Sequence, residues 1–288
     1  MVRAIRDFFV RRGYLEVETP VLIPAPAPEL HIDAVPVGRC YLHTSPELCM
    51  KRLLAAGYER IFQICKCFRH GERGRLHLPE CTILEWYRAG AEYRDLMTQC
   101  EALIRSVARE LGFSQILEYQ GSAIDLTGPW ERITVSEAFR RYAFVTVQES
   151  MANGRFDEVM VEAVEPHLGS PKPTFLYDYP VPMAALARLK PEDARFAERF
   201  ELYMGGLELA NAFSELTDPE EQRTRFQQEK ARRMELGKET YPLPEKFLAA
   251  LDLMPEAAGI ALGIDRLTMI FSDRATIDEV VAFTPEDL

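Results

Sequence analysis

Two adjacent glycines, Gly205 and Gly206, interrupt a β-prone stretch that runs from 196 to 217. Glycine accepts the positive φ that a two-residue hairpin turn requires, so this stretch has to fold back on itself as an antiparallel pair. Counting outward from the turn sets Met204 opposite Leu207, Tyr203 opposite Glu208 and Glu201 opposite Ala210. Glu201 and Glu208 then become diagonal neighbours on one face. Two carboxylates that close repel by up to about 1 kcal/mol unless a cation lies between them. Such oxygen donors suit Mg²⁺ shared with substrate phosphates, while a solvated acidic face is the equal alternative. Asn211, Phe213 and Glu215 fall on the opposite parity. They can join the face of Glu208 only if the strand bulges near Ala210, and that bulge is predicted.

The rest of the chain alternates helical and strand-like segments. Val2, Ile5, Phe8 and Phe9 sit at helical spacing, closed by Gly13, and residues 15–18 read as a short strand. Prolines 20, 24, 26 and 28 keep the next stretch extended. Ser45-Pro46-Glu47 predicts a helix start, with the hydroxyl as N-cap and proline as the first helical residue. Residues 60–68 and 82–88 are strand-like; 93–111 is an amphipathic helix stopped by Gly112, and 155–168 a further helix. Asp218-Pro219 opens a polar helix reaching Gly237. Residues 258–263 form a small-residue strand, followed by a helix over 264–271. Hairpin-type strand pairs with flanking helices predict an α+β fold, one domain over 1–288, around a largely antiparallel sheet.

Charge and cysteine usage exclude several function classes. With 288 residues and a net charge of −11, the chain lacks the basic surface that grips a long phosphate backbone. Arg140-Arg141 and the Lys230, Arg232, Arg233 group read as solvated helix faces. No run approaches the length of a membrane span, and residues 1–13 lack the apolar core of a signal peptide, so a cytoplasmic protein is expected. The six cysteines read as reduced thiols. Cys65 and Cys67 share a strand face but lack the two-residue spacing of a zinc knuckle, and no histidine-rich motif follows.

On the strand 82–88, Ile83, Glu85 and Tyr87 share one face, and a carboxylate between an apolar and an aromatic side chain is odd for a core. Near the C-terminus, Gly259 to Gly263 leads into Asp265-Arg266. Glycines there permit close backbone approach and the arginine could meet phosphate oxygens, although packing glycines are the commoner cause of such spacing.

Taken in order, these segments resemble the three signature motifs of class II aminoacyl-tRNA synthetases. Motif 1 resembles the first helix through Glu16-Val-Glu-Thr-Pro20, motif 2 the run from Phe68-Arg69 to Leu84-Glu85-Trp86-Tyr87, and motif 3 the run from Gly259 to Arg266. Thr44-Ser45-Pro46-Glu47 and the run Glu208 to Glu215 resemble the lysyl subgroup. The chain begins at motif 1, with no room for an anticodon-reading OB-fold. Motif 2 ends in Glu-Trp-Tyr-Arg, and Ala261 stands where tRNA-charging enzymes carry glycine. These three features are similar to the elongation factor P lysyl-lysine transferase family.

That resemblance implies an ATP-dependent ligase, with Mg²⁺, that activates a lysine-type amino acid, (R)-β-lysine, and transfers it to a lysine of elongation factor P. It implies catalytic roles for Arg69 and Arg266, and ATP contacts from His70, Gly71, His77, Leu78, Glu208, Leu209 and Gly263 besides the two arginines. Glu201 and Glu208 would hold the metal. Ser45, Pro46, Glu47, Glu85, Tyr87, Asn211, Phe213, Glu215 and Ala261 would line the amino-acid pocket. A homodimer through motif 1 is implied, compatible with the apolar face of the first helix, and tRNA is disfavoured as a partner. The sequence departs from the family at Gly71, where an acid is usual and Glu72 could substitute. It departs also at Leu78 and Cys81 on the adenine side, and at Ala212. The alternatives are a synthetase paralogue acting on tRNA or another acceptor, and a non-catalytic binding module.

Overall fold

The computed structural model describes residues 1–184 and 186–288. A nine-stranded sheet organises the chain. Eight of its strands are β1 (Leu15–Glu16), β2 (Arg60–Phe68), β3 (Glu80–Ala89), β4 (Glu131–Thr134), β5 (Thr174–Pro180), β6 (Asp193–Met204), β7 (Leu207–Ser214) and β8 (Ala257–Gly263). They lie in the order β1-β2-β3-β8-β7-β6-β5-β4, and the two-residue strand Leu189–Lys190 pairs onto β6. The β1–β2 and β4–β5 pairs are parallel and the others antiparallel, as expected of an α+β chain built on hairpins. Gly205 and Gly206 turn between β6 and β7 with φ of 59° and 76°.

One face of the sheet is the main core. Phe62, Leu84, Trp86, Ile260, Leu262, Ala210, Ala212, Phe200 and Leu202 point to it and are covered by helices α1 (Val2–Val10), α2 (Tyr93–Glu110) and α3 (Ile264–Phe271). Helix α2 earns its length from a stripe of Leu96, Met97, Cys100, Leu103, Ile104 and Val107, a capping box between Glu92 and Asp95, and Gly112 at φ 80°. In α1, Ile5, Phe8 and Phe9 are buried within the domain, with Phe9 stacked on Phe62 at 4.9 Å. The apolar face of the first helix is therefore spent on its own core. The exposed apolar side chains of this region are Val10, Leu15, Val21 and Leu22 instead.

Two local expectations shift. The helix after Ser45 runs over Glu47–Ala55 with Pro46 at the cap, one residue later than expected, and Ser45 Oγ accepts the Glu47 N–H at 3.0 Å. The segment 155–168 is not one helix: Phe156–Val159 is α-helical, Met160–Val164 widens to a π-helix, and Glu165–His167 tightens to a 3₁₀ turn. Pro166 has no N–H to continue an α-helical ladder. No helix among the described residues is long and apolar enough to cross a membrane.

Arg233 overturns its reading as part of a solvated face. It sits in the helix Pro219–Glu235 with 0% exposure and holds the proline-rich segment in place. Its guanidinium donates to the carbonyls of Glu29, Ile32 and Glu239, to Asp33 Oδ1 at 2.6 Å and to Tyr241 Oη. Arg233→Met is expected to cost about 3–5 kcal/mol, because it leaves three carbonyls without their donor and Asp33 with Lys238 alone. Urea unfolding measures this, and a loss below about 1 kcal/mol would show that water takes over those acceptors.

Candidate active site

The hairpin keeps its simple register only as far as Tyr203↔Glu208. Beyond that pair Leu202 faces Ala210 and Glu201 faces Asn211, so Leu209 is the extra residue of a bulge, its side chain buried in the core. The bulge is where the parity of the site residues demanded it. Its position corrects one pairing, since Glu201 lies opposite Asn211 rather than Ala210. Glu208, Asn211 and Phe213 thereby share the face of Glu201, and Glu215 follows at the strand end.

That face is the floor of a cleft, and the registers of five strands set it out in rows. One row reads Gln63 (β2), Glu85 (β3), Ala261 (β8), Asn211 (β7), Glu201 (β6). The next reads Ile61, Tyr87, Gly259, Phe213, Arg199. Gly259 has a packing role here: a Cβ on it would overlap the Tyr87 ring and Glu215 Oε1. Ala212 points to the core and has no part in the cleft.

At one end the rows meet the start of the helix Glu47–Ala55. Ser45 Oγ donates to Glu85 Oε1 at 2.5 Å and Tyr87 Oη to Glu85 Oε2 at 2.9 Å. Burial, followed by the nearby charge of Glu47, pushes the Glu85 carboxyl well above its ordinary range. Glu215 is buried and pushed up to about 8 by desolvation, which Lys51 opposes. Its Oε1 has no hydrogen-bond partner among the described residues. Lys51 lies 2.5 Å from both Glu47 and Glu215 and is fully buried. Burial opposes its charge, but the adjoining Glu47 carboxylate, joined by Glu215 once that group ionises, outweighs burial and holds it charged. Sequence reasoning missed Lys51, although its i,i+4 spacing from Glu47 was a readable signal. Glu29 was missed too. It comes from the proline-rich loop, and burial, with help from Glu47, pushes it up to about 7.

At the other end lie the groups expected to hold phosphate. Arg69, just past β2, pairs with Glu72 at 3.7 Å, and its Nε is buried with no partner among the described residues. Arg266 donates to the Glu208 carbonyl at 2.7 Å and to His77 Nε2 at 2.6 Å. His77 must be neutral to accept that bond, and burial and the Arg266 charge both lower its pKa. Gly71 turns at φ 76° and Gly263 precedes the helix of Arg266; His70 is exposed, its N–H bonded to the Asp33 carbonyl. Leu78 is different: its side chain is buried in the main core, so only its backbone is available to a nucleotide. Pro46 serves as the helix cap.

The two metal candidates are unequal. Glu201 already accepts from Tyr179 Oη at 2.6 Å, Tyr203 Oη at 2.8 Å and Arg199 Nη2 at 2.6 Å. Arg199, another group the sequence reading missed, also donates to Asn211 Oδ1 at 2.9 Å and so orders that row. Glu208 keeps 42% of its side chain exposed and lies 3.6 Å from Arg266. Its place in the cleft and the charge of Glu201 push it up to about 7.

The family model of class II tRNA synthetases (D, K and N) matches residues 1–287. The chain is 39% identical to an elongation factor P–(R)-β-lysine ligase of Vibrio atlanticus, over 98% of this chain and 93% of that protein. It is 40% identical to the ligase of the same name from Proteus mirabilis, over 98% of this chain and 92% of that one. It is also 39% identical to a lysine–tRNA ligase of Moorella thermoacetica, over 98% of this chain and 63% of that protein. The arginine-and-histidine end, the carboxylate-lined end and the full-length match lead to one conclusion: the chain belongs to the class II tRNA synthetase family of the D, K and N type.

Proposed function

We propose that this chain activates a lysine-type amino acid, (R)-β-lysine, as its adenylate and transfers it to a lysine side chain of elongation factor P. The observation that carries the reading is a pocket walled by Glu47, Glu85 and Glu215, one of whose carboxylate oxygens lacks a partner, within the same cleft as an arginine whose buried Nε also lacks one. A substrate with two ammonium groups loses its hydration on entry, and buried carboxylates must replace it. The substrate carboxylate attacks the α-phosphorus of ATP and pyrophosphate leaves. Arg69 stabilises the charge that grows on the phosphoryl oxygens, and Arg266 with His77 binds the outer phosphates. The lysine amine of the acceptor then attacks the activated carbonyl, forming an amide and releasing AMP. No side chain becomes covalently attached, so catalysis is positioning plus electrostatics. The Ala261 methyl, between Glu85 and Asn211, removes space that a glycine would leave and biases the choice of isomer.

Mg²⁺ fits the acidic pair, because a cation would offset both the desolvation and the Glu201 repulsion that raise Glu208. Glu208 would hold it, with Glu201 offering the lone pairs that Tyr179, Tyr203 and Arg199 leave free. Bound there, it neutralises phosphate charge.

The test is amino-acid-dependent ATP–pyrophosphate exchange with (R)-β-lysine, α-lysine and no amino acid. Exchange favouring β-lysine, followed by labelling of elongation factor P, is the expected result. A clear preference for α-lysine would point instead to tRNA or another acceptor, and no exchange with either would sink the reading.

Amino-acid binding should strengthen as pH rises from 7 to 8.5. Glu215, raised to about 8, is largely protonated at pH 7 and accepts an ammonium only after ionising. Its ionisation lowers the KM of the amino acid by up to about tenfold per pH unit below 8, and Glu215→Gln should flatten that profile. Stability runs the other way. The folded state holds a proton that the unfolded chain has lost between 4.5 and about 8, so this group's contribution falls as pH rises through that window.

The exposed Val10, Leu15, Val21 and Leu22 support a homodimer that covers this surface. Light scattering is expected to give twice the 32.9 kDa chain mass, and Leu22→Glu to return the monomer. A monomeric parent protein at micromolar concentration would overturn this.

A further inference from the structure

One cluster of ligand-type side chains has no role in the reaction above. Cys65 and Cys67 share a face of β2 with their Sγ atoms 3.9 Å apart. His43, two residues before Ser45, is stitched to the same region. Its N–H donates to the Val21 carbonyl at 2.8 Å, and its carbonyl accepts the Phe68 N–H at 3.0 Å. A ring nitrogen of His43 and the two sulfurs all lie within 4.8 Å of one another. His43 and Cys67 are 1% and 0% exposed.

The ring's hydrogen bonding indicates which nitrogen is free. Nε2 lies 2.7 Å from the Lys66 carbonyl, an oxygen that can only accept, so the proton resides on Nε2 and the lone pair on Nδ1. Nδ1 is buried with no hydrogen-bond partner among the described residues, and so is Gln63 Oε1, two residues before Cys65 on the same face. Two buried acceptors thus stand without donors beside two thiols. A metal-binding histidine commonly donates its other N–H to a backbone carbonyl, as His43 does to Lys66. Two thiolates about 2.3 Å from a tetrahedral zinc sit about 3.8 Å apart, close to the spacing already present.

We infer that His43, Cys65 and Cys67 form a binding site for one thiophilic divalent cation, zinc, with a fourth position open to Gln63 Oε1 or water. Binding converts two thiols to thiolates and releases two protons, so the net charge of the metal and its two sulfurs is zero. That neutrality suits a site close to Glu85. A cation here ties the segment that leads into Ser45 and Glu47 to β2, whose end carries Arg69 two positions past Cys67. The spacing of the two cysteines concealed the site, because the third ligand arrives from another segment.

The test uses the full-length protein, reduced, stripped with a chelator and titrated with Co²⁺. One equivalent is expected to give sulfur-to-cobalt charge-transfer absorption and the intense visible bands of tetrahedral cobalt, both erased by Zn²⁺. Cys67→Ser and His43→Gln should each weaken binding by at least about 100-fold, whereas Cys49→Ser, outside the cluster, should not. X-ray absorption of the zinc-loaded parent protein should show two sulfurs and one nitrogen, a readout that survives if a variant fails to fold. Absence of the charge-transfer bands in the parent protein would overturn the site. So would unchanged bands in Cys67→Ser, or a Cys65–Cys67 disulfide that forms under zinc-replete, reducing conditions.

Discussion

Arg69→Ala should lower kcat for amino-acid-dependent ATP–pyrophosphate exchange by about 10²–10³-fold, a loss of about 3–4 kcal/mol of transition-state stabilisation. The guanidinium lies at the end of β2 with its Nε buried and unpartnered among the described residues, and its nearest carboxylate is Glu72 at 3.7 Å. A buried donor left open is costly unless a ligand completes it, and phosphate oxygens fit a planar fork in a way an ammonium cannot. Arg69→Lys should therefore recover only part of the rate. Because the group acts as phosphorus becomes pentavalent, kcat should fall more than the affinity for ATP. Exchange kinetics, with circular dichroism as the folding control, decide this. A kcat within threefold of the parent enzyme would remove Arg69 from the chemistry.

Gly259→Ala should separate the two ends of the cleft. A methyl there overlaps the Tyr87 ring and Glu215 Oε1, and neither can yield easily. Tyr87 is bonded to Glu85 at 2.9 Å, and Glu215 is held against Lys51 at 2.5 Å. Overpacking of this kind costs about 1–3 kcal/mol of stability. The larger effect falls on the amino acid: displacing a carboxylate that meets an ammonium should raise its KM by about 100-fold or more. Nucleotide binding should hardly change, since Arg69, His77 and Arg266 lie at the opposite end. Calorimetry with ATP and exchange kinetics with varied amino acid measure the two separately. An unchanged amino-acid KM would mean that Tyr87 and Glu215 do not form the pocket.

The features legible in the residues were local ones. The turn at Gly205-Gly206 followed from backbone sterics, and the bulge beside it from requiring Glu208, Asn211 and Phe213 to share a face. The long helix was visible in its apolar stripe and its terminal glycine, and the order of the motifs carried the family. The turn, bulge and helix signals survive folding because each depends on one short stretch of chain, and the motif order survives because it needs no knowledge of what packs against what.

What needed the tertiary structure depends on residues far apart in the chain. Whether Arg233 was solvated or buried turned on a proline-rich loop some 200 positions earlier. The apolar face of the first helix was equally suited to a partner or to its own core, and Phe62 and Trp86 decided it. Lys51 became a counter-ion only when Glu215 arrived from the far end of β7, and His43 met Cys65 and Cys67 only through the packing of its loop against β2. Burial and charge pairing are properties of three-dimensional neighbourhoods. Periodicity along a chain reports which way a side chain points, and the fold alone supplies what it meets there.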